Sequence, residues 1–328
     1  MHKTFFFFYI FSHFSYSKCT YWIDKKPFLR LSYSQESRNY AIQSVLYYAR
    51  YKIQSLKGVI FMLWDTHMHT HFSGDSEADS AAMAHAAVAK KLSGICITDH
   101  LDYDYPDDPD LFIIDFDQYN REIHKLQSDF SDVLKINYGI ELGLQPHLAN
   151  RHHNLLQTED FDFVIGSSHV VHGIDPYYPV YYESRTESAA YREYFESILE
   201  NITAFDEFDV YGHIDYVVRY GPNKNADYTY EKFKDVIDEI LRQLIARGKG
   251  IELNMAGFKY GLGHPNPTEE ILHRYRELSG EIITIGADGH APDQIAWDFE
   301  KVPGILKAAG FDYFTVFTKR KPEFIPLC

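Results

Sequence analysis

The stretch Trp64 to Asp75 reads W-D-T-H-M-H-T-H-F-S-G-D and concentrates side chains that bind metal ions. On a β-strand alternate residues share a face, so the spacing predicts Asp65, His67, His69 and His71 projecting together. Four polar side chains on one face make a poor core and a good metal site. Neutral imidazole together with carboxylate suits zinc, iron or manganese. A His-rich surface strand has the same local pattern, so this stretch alone does not decide. Five later strand-like runs decide it, because each ends in a further ligand type: T-D-H at His100, G-I-E-L at Glu141, G-S-S-H at His169, G-H-I-D at His213, and A-D-G-H at Asp288 and His290.

The elements that must position these residues are short apolar runs alternating with helical stretches, the pattern of an α/β fold with a parallel sheet. Strands are expected at 63–67, 94–98, 136–140, 161–166, 210–212, 250–254 and 282–286, with a last one at 313–317. Helices are expected at 76–91, where Ser76 and Asp79 form a capping box, and at 116–130, 187–204, 230–247, 268–278 and 295–309. Seven β/α units of this kind predict a barrel resembling the TIM barrel, whose catalytic groups sit at the C-terminal ends of the strands.

At 328 residues with 45% apolar content the chain can bury a substantial core. Its net charge of −15 argues against a nucleic-acid surface, which is normally basic. It leaves room for an anionic small molecule, since bound metal ions reverse the local field. Three scattered cysteines suit a reducing, cytoplasmic setting and no disulfide framework, and Cys96 in G-I-C-I-T reads as core. The run F-F-F-F-Y-I-F near the N-terminus is too short to span a bilayer, so no membrane association is expected. Residues 1–61, with one amphipathic stretch at Tyr40–Ser55, read as an appendage or a mis-assigned start before a single domain at 62–328.

Taken in order, D-T-H-M-H, Asp75, T-D-H, G-I-E-L-G, G-S-S-H, G-H-I-D-Y-V-V-R-Y, I-E-L-N-M-A-G, A-D-G-H and the closing F-T-K-R-K-P-E-F-I-P-L resemble the PHP (polymerase and histidinol phosphatase) family of metal-dependent phosphoesterases. Among its branches, the stand-alone histidinol-phosphate phosphatases are the most similar. The resemblance implies a distorted seven-stranded (β/α) barrel, two or three divalent ions (zinc, manganese or iron), and hydrolysis of L-histidinol phosphate to L-histidinol and phosphate. It implies one ion on His67, His69, Glu141 and Asp288, and a second shared through Glu141 with His169 and His213. A third would rest on Asp75, His100 and His290. Asp65 is then a group that orients an imidazole, and His71 is surplus.

Three divalent ions against three carboxylates and a hydroxide leave about +2 at such a site, complementary to a phosphate-monoester dianion. Ions held there would lower the pKa of a bound water to roughly 7, making hydroxide available to attack phosphorus in line. Glu141, Asp288, His169 and Arg219 are the expected catalytic groups. Arg219 and Arg185 are the guanidinium candidates for the phosphate, with Asp215 and His172 as further substrate contacts and Lys259 as a solvated loop charge. His152 and His153 read as loop residues, and the Y-Y-P-V-Y-Y segment at 177–182 as a pocket wall or a rim patch. Two other functions remain open from sequence: a PHP phosphoesterase for nucleotides or sugar phosphates, and a catalytically silent metal-binding module. Oligomeric state is not legible. Mass spectrometry of the natural protein should find its N-terminus at Met62; a peptide from before that residue would overturn the expected start.

Overall fold

The computed structural model describes residues 19–23, 26–31, 63–106 and 108–327. The chain falls into two units, Met1–Val59 and Ile60–Cys328. In the first, strands β1 (Cys19–Ile23) and β2 (Lys26–Leu31) pair antiparallel, a hairpin that the apolar pattern does not announce. The amphipathic stretch at 40–55 and the start at Met62 lie outside the described residues.

In the second unit, seven parallel strands form a nearly closed barrel in the order β3 (Trp64–Asp65), β4 (Gly94–Ile97), β6 (Lys135–Gly143), β7 (Phe163–Ser167), β8 (Val210–Tyr211), β9 (Gly250–Asn254) and β10 (Ile283–Gly286). The short β5 (His100–Leu101) extends the edge beside β6, setting His100 opposite Glu141. Where first and last strands meet, the Thr66 backbone N–H and hydroxyl both donate to the Ile285 carbonyl, at 2.9 and 3.0 Å. Strands such as G-I-C-I and I-T-I-G are buried throughout, as expected of parallel strands covered on both faces.

The last strand predicted from sequence is one arm of a hairpin, β11 (Tyr313–Thr318) with β12 (Lys321–Pro326). Its two turn residues, Lys319 and Arg320, both have positive φ (51° and 60°). Asn-Gly is the usual signal for such a turn, so K-R hides it. Tertiary bonds hold it instead: Lys319 N–H donates to Asp162 Oδ1 at 2.9 Å, and Arg320 Nε to Asp209 Oδ2 at 2.6 Å. Both acceptors directly precede barrel strands, so the hairpin covers the N-terminal end of the barrel. Phe317 packs there with Cys96, Phe163, Ile165 and Val210.

Helix boundaries shift where tertiary contacts compete. The first helix of this unit begins at Ser80, not Ser76, with the Asp79 carboxylate accepting from Ala82 N–H at 2.8 Å. Ser76 turns its hydroxyl to the His290 carbonyl instead, at 3.0 Å. The last predicted helix is reduced to Val302–Ala308 behind two 3₁₀ turns.

His152 is not in a loop. It lies fully buried on the helix Ala149–Leu156, between the rings of Tyr103 and Phe205, with Nε2 3.2 Å from the Gly143 carbonyl at the end of β6. Burial pushes its pKa down to about 4. The unfolded chain therefore binds this proton more tightly than the folded one. Stability is full above about pH 6.5 and is lost as pH falls toward 4, by at most about 3 kcal/mol. Urea unfolding of wild type and His152→Gln at pH 7 and pH 4.5 should show a smaller acid loss in the variant.

Candidate metal centre

The segment after β3 leaves the strand at Asp65, so the predicted common face breaks up. Parallel bonding to the β10 end carries it onward: His69 N–H donates to the Gly289 carbonyl at 2.9 Å and Asp288 N–H to that of His67 at 2.8 Å. Asp99, next to His100, gathers the loop by accepting from Thr70 N–H, the Thr70 hydroxyl and the Ser73 hydroxyl at 2.5, 2.8 and 2.9 Å. His67 and His69 are thereby driven inward with no exposed surface, whereas His71 points out toward Glu122, 44% exposed.

Asp65 is a correction. It orients no imidazole; its carboxylate accepts from the backbone N–H groups of Ala287 and Ala296, both at 2.9 Å. Burial pushes its pKa up to about 6. The imidazole of His67 is held by Glu252, 2.7 Å from Nδ1. Glu252 Oε2 also accepts from His213 N–H at 3.1 Å. A methyl group at Gly286 would strike both Glu252 and the His67 Cβ, which is why that position accepts only glycine.

Glu141, fully buried, is the centre of the arrangement. Its Oε2 lies 3.0 Å from His67 Nε2, 3.0 Å from His100 Nδ1 and 3.6 Å from His69 Nε2. Its Oε1 lies 2.9 Å from His213 Nε2 and 3.3 Å from His169 Nε2, and accepts from the Ser167 hydroxyl at 2.6 Å. Asp288, at positive φ (52°), sets Oδ1 3.3 Å from His69 Nε2, and its Oδ2 accepts from Arg219 Nη1 at 2.8 Å. Asp75 sits 3.1 Å from His290 Nε2 and 3.7 Å from His100 Nε2. All nine predicted ligand-type residues are therefore brought together.

Burial disfavours charge on each of these groups, and mutual attraction overrides it at the carboxylates. Glu141, Asp288 and Asp75 are held below the ordinary carboxylate range, Glu141 chiefly by His67, His100 and His169. Against the same burial, Glu141, Glu252 and Asp288 pull His67 up, Asp102 and Glu141 pull His169 up, and Glu141 and Asp75 bring His100 to about 9. His69 and His213 go down because burial dominates, reinforced at His69 by repulsion from His100 and His290.

Whether the donor set suits metal ions can be read from its loose ends. His69 Nε2, His100 Nδ1 and His169 Nε2 are buried with no hydrogen-bond partner, though each faces a carboxylate oxygen within 3.3 Å. Their lone pairs meet in shared space rather than on one another. The outward nitrogens are mostly occupied: His69 Nδ1 by the Ser73 hydroxyl at 3.2 Å and His169 Nδ1 by Asp102 at 2.8 Å. That leaves the inward nitrogens as ligands. Donor atoms within 4.8 Å of one another occur in His67–His69–Glu141, Glu141–His169–His213 and His69–His100–His290, and also in His67–His213–Asp288 and His100–Asp102–His169. These residues fit divalent ions with nitrogen and oxygen ligands.

A cavity of about 550 Å³ opens onto the cluster. Arg219 lines it, 3% exposed, with Nε on Asn266 at 2.8 Å and Nη2 on Asn254 at 2.9 Å, beside the rings of Tyr216 and Tyr260. Lys259 lines it too, contrary to the expectation of a solvated charge; Nζ donates to the Asp288 carbonyl at 2.8 Å and to Gln294 Oε1 at 2.9 Å. Three predicted substrate contacts lie elsewhere. Arg185 donates to the Tyr181 carbonyl and pairs with Glu193. His172 is exposed between Glu193 and Glu200, 3.1 Å from each. Asp215 is buried and accepts from Asn266 Nδ2 at 2.6 Å, so it reaches Arg219 only through that amide. Of the tyrosine segment, Tyr177 and Tyr178 line the cavity and Tyr181 and Tyr182 are core.

Residues 65–256 match the family model described as the PHP domain. The chain belongs to the PHP family. Among its PHP relatives, it is 31% identical to the histidinol-phosphatase of Lactococcus lactis subsp. lactis (strain IL1403) over 261 residues, 78% of this chain and 95% of that one. It is 32% identical to a "probable histidinol-phosphatase" of Clostridium acetobutylicum over 242 residues, 73% of this chain and 91% of the other. The crystal structure of the L. lactis histidinol phosphate phosphatase, complexed with zinc, L-histidinol and phosphate, superposes with a TM-score of 0.75 at 31% identity, covering 79% of this chain and 98% of that one.

Glu252, Asp102 and Asn254 are among the site residues of this PHP domain that linear reading passes over. Glu252 and Asn254 had a signal, as polar side chains on one face of the apolar strand I-E-L-N, and Asp102 follows His100 at strand spacing. Replacing Glu252 by Gln should lower metal affinity and activity about 10–100-fold with little loss of fold, measured by metal analysis after dialysis and by phosphate release. Gly286→Ala should lower both more severely.

Proposed function

We propose that this chain is a metal-dependent phosphomonoesterase that hydrolyses L-histidinol phosphate to L-histidinol and inorganic phosphate. The observation that carries this reading is the convergence of five imidazoles on the buried Glu141 at the floor of a cavity that also holds Arg219 and Lys259. The relative of known structure that binds zinc, L-histidinol and phosphate supports the substrate and makes zinc the first metal to try, with manganese and iron as alternatives.

His67, His69, Glu141 and Asp288 would hold one ion, Glu141, His169 and His213 a second, and Asp75, His100 and His290 a third. Ions held there would lower the pKa of a water and offset charge on the phosphoryl oxygens. Arg219 has five N–H groups and spends three on Asn266, Asp288 and Asn254, leaving two for the phosphate. Lys259 has one N–H left after its two bonds. Asp288 joins the two functions, with one oxygen toward the imidazoles and the other on Arg219. That arrangement would fix the phosphoryl group in line with its attacker, where charge develops.

The same reading takes a small phosphate ester as partner and no nucleic acid, in view of the −15 net charge, and the scattered cysteines support work in the cytoplasm. Among the described residues no helix is long and apolar enough to cross a membrane.

Phosphate release over a panel of small esters should rank histidinol phosphate at least tenfold above nucleotides and sugar phosphates in kcat/KM; a preference for nucleotides would overturn the substrate. Chelation should abolish turnover, and zinc, manganese or iron should restore it. Glu141→Gln should lower kcat by about a thousandfold or more while circular dichroism stays that of the folded protein. Unchanged turnover in that variant would refute the metal centre.

A further inference from the structure

The cavity has two unlike parts. Its floor is the imidazole and carboxylate cluster, and its wall is largely aromatic. Set in that wall is a carboxylate that the metal cluster does not use, Asp175, only 5% exposed. Its Oδ2 accepts from the Tyr105 hydroxyl at 2.8 Å and its Oδ1 from Tyr177 N–H at 2.7 Å. These neutral donors fix the carboxylate without pairing its charge, which only the more distant His169 offsets in part. Among the described residues no Lys, Arg or His nitrogen lies within 4.0 Å of it. Asp102, the neighbouring carboxylate in the wall, is already taken by His169. A buried carboxylate with no cation in contact is costly, and burial accordingly pushes the Asp175 pKa up. Its open side faces the cavity, so the missing cation can come with a ligand.

We infer that Asp175 receives the cationic nitrogen of the substrate's organic end, the ammonium or imidazolium of histidinol phosphate, and so selects it over neutral phosphate esters. This rests on the phosphatase reading above. Two chains of rings join Asp175 to the cluster. One runs from Tyr105 through Phe112 to His100, with centroids 4.8 and 5.4 Å apart. The other runs from Tyr177 through Tyr220 and Tyr216 to His213, at 5.2, 5.0 and 5.1 Å. Aromatic faces attract a cation lying between them. A phosphate at the cluster and a cationic nitrogen at Asp175 would occupy the two ends of one aromatic slot.

The test measures kcat and KM of wild type, Asp175→Asn and Asp175→Glu on four esters: histidinol phosphate, phosphoethanolamine, 2-(imidazol-4-yl)ethyl phosphate and phenyl phosphate. In Asp175→Asn the ratio of kcat/KM for histidinol phosphate to that for phenyl phosphate should fall about ten- to a hundredfold, carried by KM, with metal content retained. Whichever half-analogue loses the same factor carries the nitrogen that meets Asp175. Should the amide variant lose structure, Asp175→Glu, which keeps the charge, should still raise KM more for histidinol phosphate than for phenyl phosphate. Equal effects on charged and neutral esters, or no loss with either half-analogue, would overturn the inference. A wild-type enzyme that prefers phenyl phosphate would overturn the substrate reading itself, and that failure is visible before any variant is compared.

Discussion

A carboxylate with no exposed surface, shared by five imidazoles, is the constraint on which this molecule rests. Taken out of water, Glu141 must be answered by positive charge, and the imidazoles cannot all be protonated side by side. His67, His100 and His169 are drawn toward the proton while His69 and His213 are driven from it. A site so divided is a frame for cations supplied from outside. Its ring nitrogens can be ligands only while something else fixes their orientation, and that is the work of Glu252, Asp102 and Ser73.

The barrel serves that constraint by separating two ends. At the N-terminal end, Phe317 of the closing hairpin joins an apolar cluster with Cys96, Phe163, Ile165 and Val210. At the other end, polar side chains replace apolar ones inside the strands themselves: Glu141 in β6, Ser167 in β7, and Glu252 and Asn254 in β9. Each finds a partner in another polar group, so the interior carries charge at one end and apolar packing at the other.

Much of this was legible in the chain itself, for a physical reason. A short apolar strand gives way to a loop at its end, and a His, Asp or Glu in its last residues or just beyond is conspicuous against the run before it; His100, Glu141, His213 and Asp288 are all of this kind. Less visible were groups whose meaning depends on distant partners. Arg185 and His172 look available until the helix Glu187–Ala204 brings Glu193 to both. Asp65 shares the D-x-H-x-H spacing with true candidates, yet its carboxylate answers backbone groups more than 220 residues away. The Lys319–Arg320 turn carries no turn residue because Asp162 and Asp209 hold it from outside. Burial of His152 likewise depends on Tyr103 and Phe205, far from it in the chain.

The seam between the first and last barrel strands has a consequence for biosynthesis. His67 and His69 leave the ribosome about 220 residues before Asp288 and Gly289, whose main-chain groups bond back to them. A nascent chain therefore carries an incomplete cage until the β10 end has been made. The donor set that would hold the ions is complete only once both edges of the seam are in place.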